Sequence, residues 1–204
     1  MHLQSIAIAP ETQQSPTGLV VMLHGWGDTA ENLAMIAPAL GLADYHVVFV
    51  NAPFPHPHAP GGRAWYDLEQ DDYAGLEQSY RQLHEWLDFQ EQETGIPPER
   101  TILSGFSQGG AMTLDVGLER SLAGLVVLSG YLHRELDRDL PHAPPVLMMH
   151  GRQDRVVPLQ MAWQARDAVQ ARGVTVDYRE FDMAHEVRPA ELAAMRDFVR
   201  DRVP

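Results

Sequence analysis

The sequence predicts an α/β domain: a mostly parallel sheet of about seven strands with helices on both faces. Three observations lead there. Short apolar, β-branched runs recur along the 204 residues. Segments with apolar residues three or four apart fill the gaps between them. The order of the two kinds of segment alternates, which is the pattern of a sheet built from strand–helix–strand crossovers.

The inner strands are expected at residues 18–23, 45–50, 101–104, 125–128 and 146–149. Each is continuously apolar, as strands covered on both faces of a parallel sheet are. Residues 3–9 and 174–181 alternate instead and belong nearer the sheet edges. The first helix opens at Asp28-x-x-Glu31, the spacing of a capping box, and is cut or kinked at Pro38. Tyr73, Leu76, Tyr80, Leu83 and Leu87 make one stripe of a second helix, which Gly95 and Pro97 stop. Further helices are expected over residues 108–119, around Met161, Ala165 and Val169, and around Leu192, Met195 and Val199. The longest irregular stretch, residues 51–71, is rich in proline and glycine. A loop of that length in a small domain is generally functional or mobile.

One domain over residues 1–204 is expected, since a chain of 22.8 kDa buries about 70% of its unfolded surface in one core. Hydrophobic residues at 45% and charged residues at 21% are ordinary globular values, which argues against disorder and coiled coil. Fifteen Lys and Arg against 28 Asp and Glu leave a net charge of −13. That charge disfavours a nucleic-acid partner and anionic lipid. The absence of cysteine excludes disulfides, thiolate metal sites and a cysteine nucleophile. No apolar run reaches 18 residues, and the first residues lack the basic start of a signal peptide. A cytoplasmic enzyme without stable membrane anchoring is the expectation.

The strongest chemical signal is G-x-S-x-G at Gly105–Gly109, with Ser107 between an expected strand and an expected helix. A sharp strand-to-helix turn strains the serine backbone, and flanking glycines remove side chains that would clash. The helix start then brings the Gln108 N–H beside Ser107. A serine nucleophile needs a base, and the base an orienting acid, following the serine in the order acid, then histidine. His185 follows the strand ending at Phe181, in a loop before the last helix, and fits the base. His2, His46, His84, His133 and His142 read as ordinary surface or core residues, while His24 and His150 end strands and shape loops. Two acids compete for the third role. Asp154 lies on the loop after an adjoining strand, whereas Asp182 is only three residues from His185 and rarely could reach its far nitrogen. Asp154 is the choice. Trip-wire glycines around Trp26, in His24-Gly25-Trp26-Gly27-Asp28, let a second backbone amide, that of Trp26, join Gln108 in an oxyanion hole. Phe54, Trp65, Tyr66, Leu68, Val156 and Met183 lie on loops expected to meet at the site and contact substrate.

His56-Pro-His58 has no third ligand at hand, so no metal is expected. No dinucleotide fingerprint or Walker loop is present, so no cofactor is expected either. The gap at residues 130–144 is too short for a helical cap, and an open, partly apolar groove should result.

The motifs HGWGD, GFSQGGAM, HGRQDRVVP and FDMAHEV follow one another at plausible spacings. Together they resemble the acyl-protein thioesterase/carboxylesterase (phospholipase/carboxylesterase) family of α/β-hydrolases, over most of the chain. The resemblance implies a Ser107–Asp154–His185 triad, an oxyanion hole from the Trp26 and Gln108 amides, and cofactor-free hydrolysis of carboxylic esters, acyl thioesters or lysophospholipids. An acylated protein falls within that substrate class. Two other readings stand beside it. One is a non-catalytic binding protein on the same fold. The other is a serine peptidase of that fold, which would ordinarily carry a further substrate-gating domain.

Overall fold

The computed structural model describes residues 3–11, 15–69, 72–133, 135–136 and 139–204. His2, Arg134, and Gln70 and Asp71 at the end of the long loop lie outside the described residues. Seven strands form the main sheet: β1 (Ser5–Ile8), β2 (Leu19–Leu23), β3 (His46–Val50), β6 (Thr101–Phe106), β7 (Gly124–Leu128), β8 (Val146–Gly151) and β9 (Val176–Phe181). Their order is β1-β3-β2-β6-β7-β8-β9, with β1 antiparallel to β3 and every other pair parallel. Two short strands, β4 (Phe54–Pro55) and β5 (Arg63–Ala64), pair separately inside the long loop, where the sequence suggested only irregular chain.

The period of two along each strand divides the core. Val21, Leu103, Val127 and Met148 face one side, where α3 (Leu76–Thr94), α4 (Gln108–Gly117) and α5 (Leu159–Ala171) cover them. Val20, Ile102, Val126 and Leu147 face the other, under α1 (Ala30–Leu33), α2 (Ala37–Leu40) and α6 (Pro189–Arg202). The inner strands β2, β7 and β8 are buried throughout, which is why they read as continuous apolar runs. The edge strands β1 and β9 are only partly covered, which explains their alternation.

Local boundaries differ from the sequence reading in three places. The cap of α1 is Thr29, whose side chain accepts from the Asn32 N–H, and Asp28 accepts from Thr29 N–H and the Asn32 amide instead. Glu31 accepts from the Asn51 side chain, so the expected box is absent. A 3₁₀ turn over Ala34–Ile36 separates α1 from α2, and Pro38 sits in the first turn of α2, where it forfeits no helical bond. Helix α3 begins at Leu76, after Gly75 at φ 97°, so Tyr73 at φ 50° precedes the helix although it continues the stripe.

Strand order reverses at β2: β3 lies on one side of it and β6 on the other. The crevice at such a reversal, beyond the carboxyl ends of the strands, is where open α/β sheets bind ligands.

Helix α6 carries one buried acid whose titration is readable. The Glu191 carboxyl is wholly buried and accepts from the Arg188 N–H at 3.1 Å, while its other oxygen has no partner among the described residues. Burial pushes its pKa up to about 7, with the charge of Glu186 adding to the rise and the Arg188 bond opposing it. The native state therefore keeps a proton that the unfolded chain releases at lower pH, so this group subtracts stability as pH rises toward 7. Glu191→Gln should remove that loss. In urea unfolding at pH 5 and pH 8, the variant should gain roughly 1–3 kcal/mol on wild type at pH 8 and little at pH 5.

Candidate functional site

Four strand ends meet at the crevice. Ser107 follows β6 and is the residue on which α4 starts. Its backbone stands at φ 55° and ψ −116°, a conformation that costs a non-glycine residue about 1–3 kcal/mol. Close packing holds it there. A Cβ at Gly105 would lie 2.1 Å from the Gly109 carbonyl oxygen, and one at Gly109 would lie 2.4 Å from the Leu23 oxygen. Only glycine allows β6, β2 and the first turn of α4 to cross this closely. The Ser107 N–H donates to the Leu128 carbonyl at 2.8 Å, and its carbonyl accepts from Ala111 N–H at 3.0 Å.

The Ser107 hydroxyl lies 2.9 Å from His185 Nε2. His185 Nδ1 lies 2.7 Å from Asp154 Oδ2. The Asp154 side chain is fully buried after β8, and its second oxygen accepts the Val156 and Val157 N–H groups, each at 2.9 Å. Burial raises the pKa of this carboxyl, but the His185 bond and those two amides outweigh it and hold the group below its ordinary range. An ionised carboxylate only accepts, so the His185 proton sits on Nδ1 and Nε2 presents a free lone pair to Ser107. The imidazole packs against Phe106, with ring centroids 4.7 Å apart. Asp182, the competing acid, is exposed and pairs with Arg152 at 2.8 Å.

The neighbouring histidines hold other posts. His24 Nδ1 donates to the Gly25 carbonyl at 2.7 Å and Nε2 accepts from Ala52 N–H, so it ties the end of β2 to the long loop. His150 Nε2 donates to the Val157 carbonyl at 2.9 Å and steadies the Asp154 loop. Burial lowers the pKa of both, consistent with neutral rings. His133, read from the sequence as an ordinary surface or core residue, is in the core, its ring buried 2.6 Å from Asp115 among the rings of Tyr66, Tyr73 and Tyr131.

Gly25 lies against Ser107, a Cβ there falling 3.3 Å from the serine Cβ, which brings the Trp26 segment to the nucleophile's side. Among the described residues no acceptor pairs with the Trp26 or Gln108 backbone N–H. The Gln108 side chain does separate work: Oε1 accepts the Trp65 N–H at 2.9 Å and Nε2 donates to the Tyr66 carbonyl at 2.8 Å. Among the described residues no cluster of three His, Asp or Glu side chains suited to a metal is present, and no helix is long and apolar enough to cross a membrane.

Ser107 and His185 open on a cleft of 460 Å³. Leu68 and Val156 line it, as the sequence suggested; Tyr73, Phe106, Tyr131 and Met161, which it did not single out, line it too. Phe54 and Tyr66 line a neighbouring cavity of 420 Å³ instead. Trp65 and Met183 face neither. Trp65 is fully buried with its indole N–H donating to the His24 carbonyl, and Met183 is buried with its carbonyl accepting from Gln153 N–H. Their apolar character serves loop packing, which sequence position cannot separate from contact with a ligand. A larger hollow of 540 Å³ lies beside β1, lined by residues such as Met35, Pro38 and Tyr45, and holds no nucleophile–base pair.

A profile of the Phospholipase/Carboxylesterase family matches residues 4–202. An acyl-protein thioesterase 1 of Neurospora crassa is 31% identical, with 92% of this chain and 88% of that protein aligned. An acyl-protein thioesterase 1 of Saccharomyces cerevisiae is 32% identical over 89% of this chain and 91% of its own. Among solved structures, esterase PE8 superposes with a TM-score of 0.90 at 28% identity, covering 98% of this chain and 99% of its own. SOBER1 of Arabidopsis thaliana does so at 0.81 and 25% identity, covering 92% and 99%.

The Gln108 clamp can be tested without any assay of activity. Gln108→Ala leaves the buried Trp65 N–H and Tyr66 carbonyl without partners and should cost about 2–4 kcal/mol in urea unfolding. A loss below about 0.5 kcal/mol would show that the side chain is dispensable to the loop.

Proposed function

The chain belongs to the phospholipase/carboxylesterase family of α/β-hydrolases, and we propose that it cleaves carboxylic esters and acyl thioesters through an acyl-enzyme on Ser107. The observation that carries this reading is the unbroken hydrogen-bonded line from Asp154 through His185 to a strained Ser107 at the wall of an open cleft. His185 Nε2 takes the hydroxyl proton as Ser107 Oγ attacks the carbonyl carbon, and Asp154 stabilises the imidazolium. The Trp26 and Gln108 amides, which have no acceptor among the described residues, receive the developing oxyanion. The imidazolium then gives its proton to the leaving alkoxide or thiolate. A water molecule, deprotonated in turn by His185, releases the acid and restores the serine.

Leu68 and Val156 flank the bound substrate. The acyl donor is an ester of a small molecule, a lysophospholipid or an acylated protein; relatives named acyl-protein thioesterases support the last. A cleft that opens at Ser107 also favours substrates that reach it from water. The long loop does not resemble a hinged lid: Arg63 donates to the Ala52 and Pro53 carbonyls, and Gly27 N–H donates to the Arg63 carbonyl.

Ser107→Ala should lower kcat by about 10⁴-fold or more toward a nitrophenyl ester, with an unchanged circular dichroism spectrum. Retention of a tenth of the wild-type rate would remove Ser107 from the mechanism. Asp154→Asn should cripple the enzyme and alter the acid limb of its pH–rate profile, while Asp182→Asn should do neither. The reverse pattern would transfer the acid's role to Asp182.

A further inference from the structure

Trp26 is the residue common to the linings of the 460 Å³ cleft and the 420 Å³ cavity beside it. Close by, Leu68 and Tyr73 face the cleft while Asp67 and Ala74, joined by a hydrogen bond from the Asp67 N–H to the Ala74 carbonyl, face the second cavity. The indole is well backed. It meets the His56 ring at 4.4 Å, edge to face, and His56 Nδ1 accepts the His58 and Ala59 N–H groups. Phe54 and Pro55 line the second cavity with it.

From this partition we propose that Trp26 is the chain-length stop of the enzyme, confining it to short acyl groups by closing a second apolar cavity that would otherwise extend the acyl site. The inference rests on the hydrolase reading above. The direction follows from proton transfer. The leaving group must receive its proton from His185 Nε2, so it lies on the side of the cleft that His185 and Val156 line. Neither of those residues touches the second cavity, so what points toward Trp26 is the acyl substituent. A chain that outgrows the cleft meets the indole and turns into water, where its added methylenes gain no cover. With the indole removed, each methylene that enters the second cavity contributes about fourfold to kcat/KM.

The test is kcat/KM for nitrophenyl esters from butyrate to laurate, below their solubility limits, with fluorophosphonate labelling of each protein. Wild type should weaken steadily with chain length. Trp26→Leu should raise the laurate-to-butyrate ratio at least tenfold, and Ala74→Leu added to it, which narrows the second cavity, should return the ratio toward wild type. Ala74→Leu alone should leave the ratio unmoved, because the chain never reaches that cavity. An unchanged ratio in folded, labelled Trp26→Leu overturns the proposal, as does a fall of the ratio in Ala74→Leu alone. Should Trp26→Leu not fold, Trp26→Phe replaces it, with a smaller rise expected and no rise counting against the stop. Wild-type protein that neither labels at Ser107 nor hydrolyses any ester would instead sink the hydrolase reading itself, a result distinct from an unchanged ratio.

Discussion

Where β6 passes into α4, three stretches of backbone come within contact distance of one another, and the rest of the site is arranged around that crossing. Gly105 touches the Gly109 carbonyl, and Gly109 touches the carbonyl at the end of β2. A side chain at either point would lift α4 away from the sheet. Three features would shift with it: the unfavourable φ of Ser107, the direction of the Gln108 N–H, and the Gln108 clamp on Trp65 and Tyr66. The strain at Ser107 is tolerated because α4 is buried along its whole length and cannot relax without opening the core.

The polar groups around the serine obey a second constraint, that each buried donor or acceptor be matched. Asp154 meets it with three bonds, two of them from amides on its own loop and the third from His185. The same residue is thus both a turn-forming aspartate and the partner of the base. His24, His150 and His185 all lie at or just after the carboxyl ends of strands of one sheet yet do different work, because their nitrogens face different groups. A carbonyl and an amide flank His24, and a carbonyl accepts from His150. His185 alone of the three bridges a carboxylate and a hydroxyl. Chemistry follows from those second contacts rather than from residue type.

Much of this was legible in the chain. Parallel inner strands are covered on both faces, so their apolar runs are continuous and easily found. The nucleophile turn requires small residues at fixed offsets from the serine, so the G-x-S-x-G spacing records a steric demand. The choice of Asp154 over Asp182 also came from sequence, because an acid needs a separate support to reach the far nitrogen of the imidazole. Backbone demands of this kind are local and leave marks at fixed spacing.

What the sequence could not decide is which side chains from distant loops share a surface. Trp65 and Leu68 are three residues apart and both apolar, yet one is fully buried against His24 and the other lines the cleft. Tyr131 and Met161 join that cleft from separate elements and carry no motif. Thr29 rather than Asp28 caps the first helix, and Glu31 accepts instead from Asn51, twenty residues away. Trp26, which lines both cavities, likewise has its indole packed against the ring of His56 from a distant loop. Strand periodicity, helix stops and the serine turn are properties of neighbouring residues, and the sequence by itself determined them. Loop packing and cavity shape arise from contacts between segments far apart in the chain, and only the tertiary structure decided those.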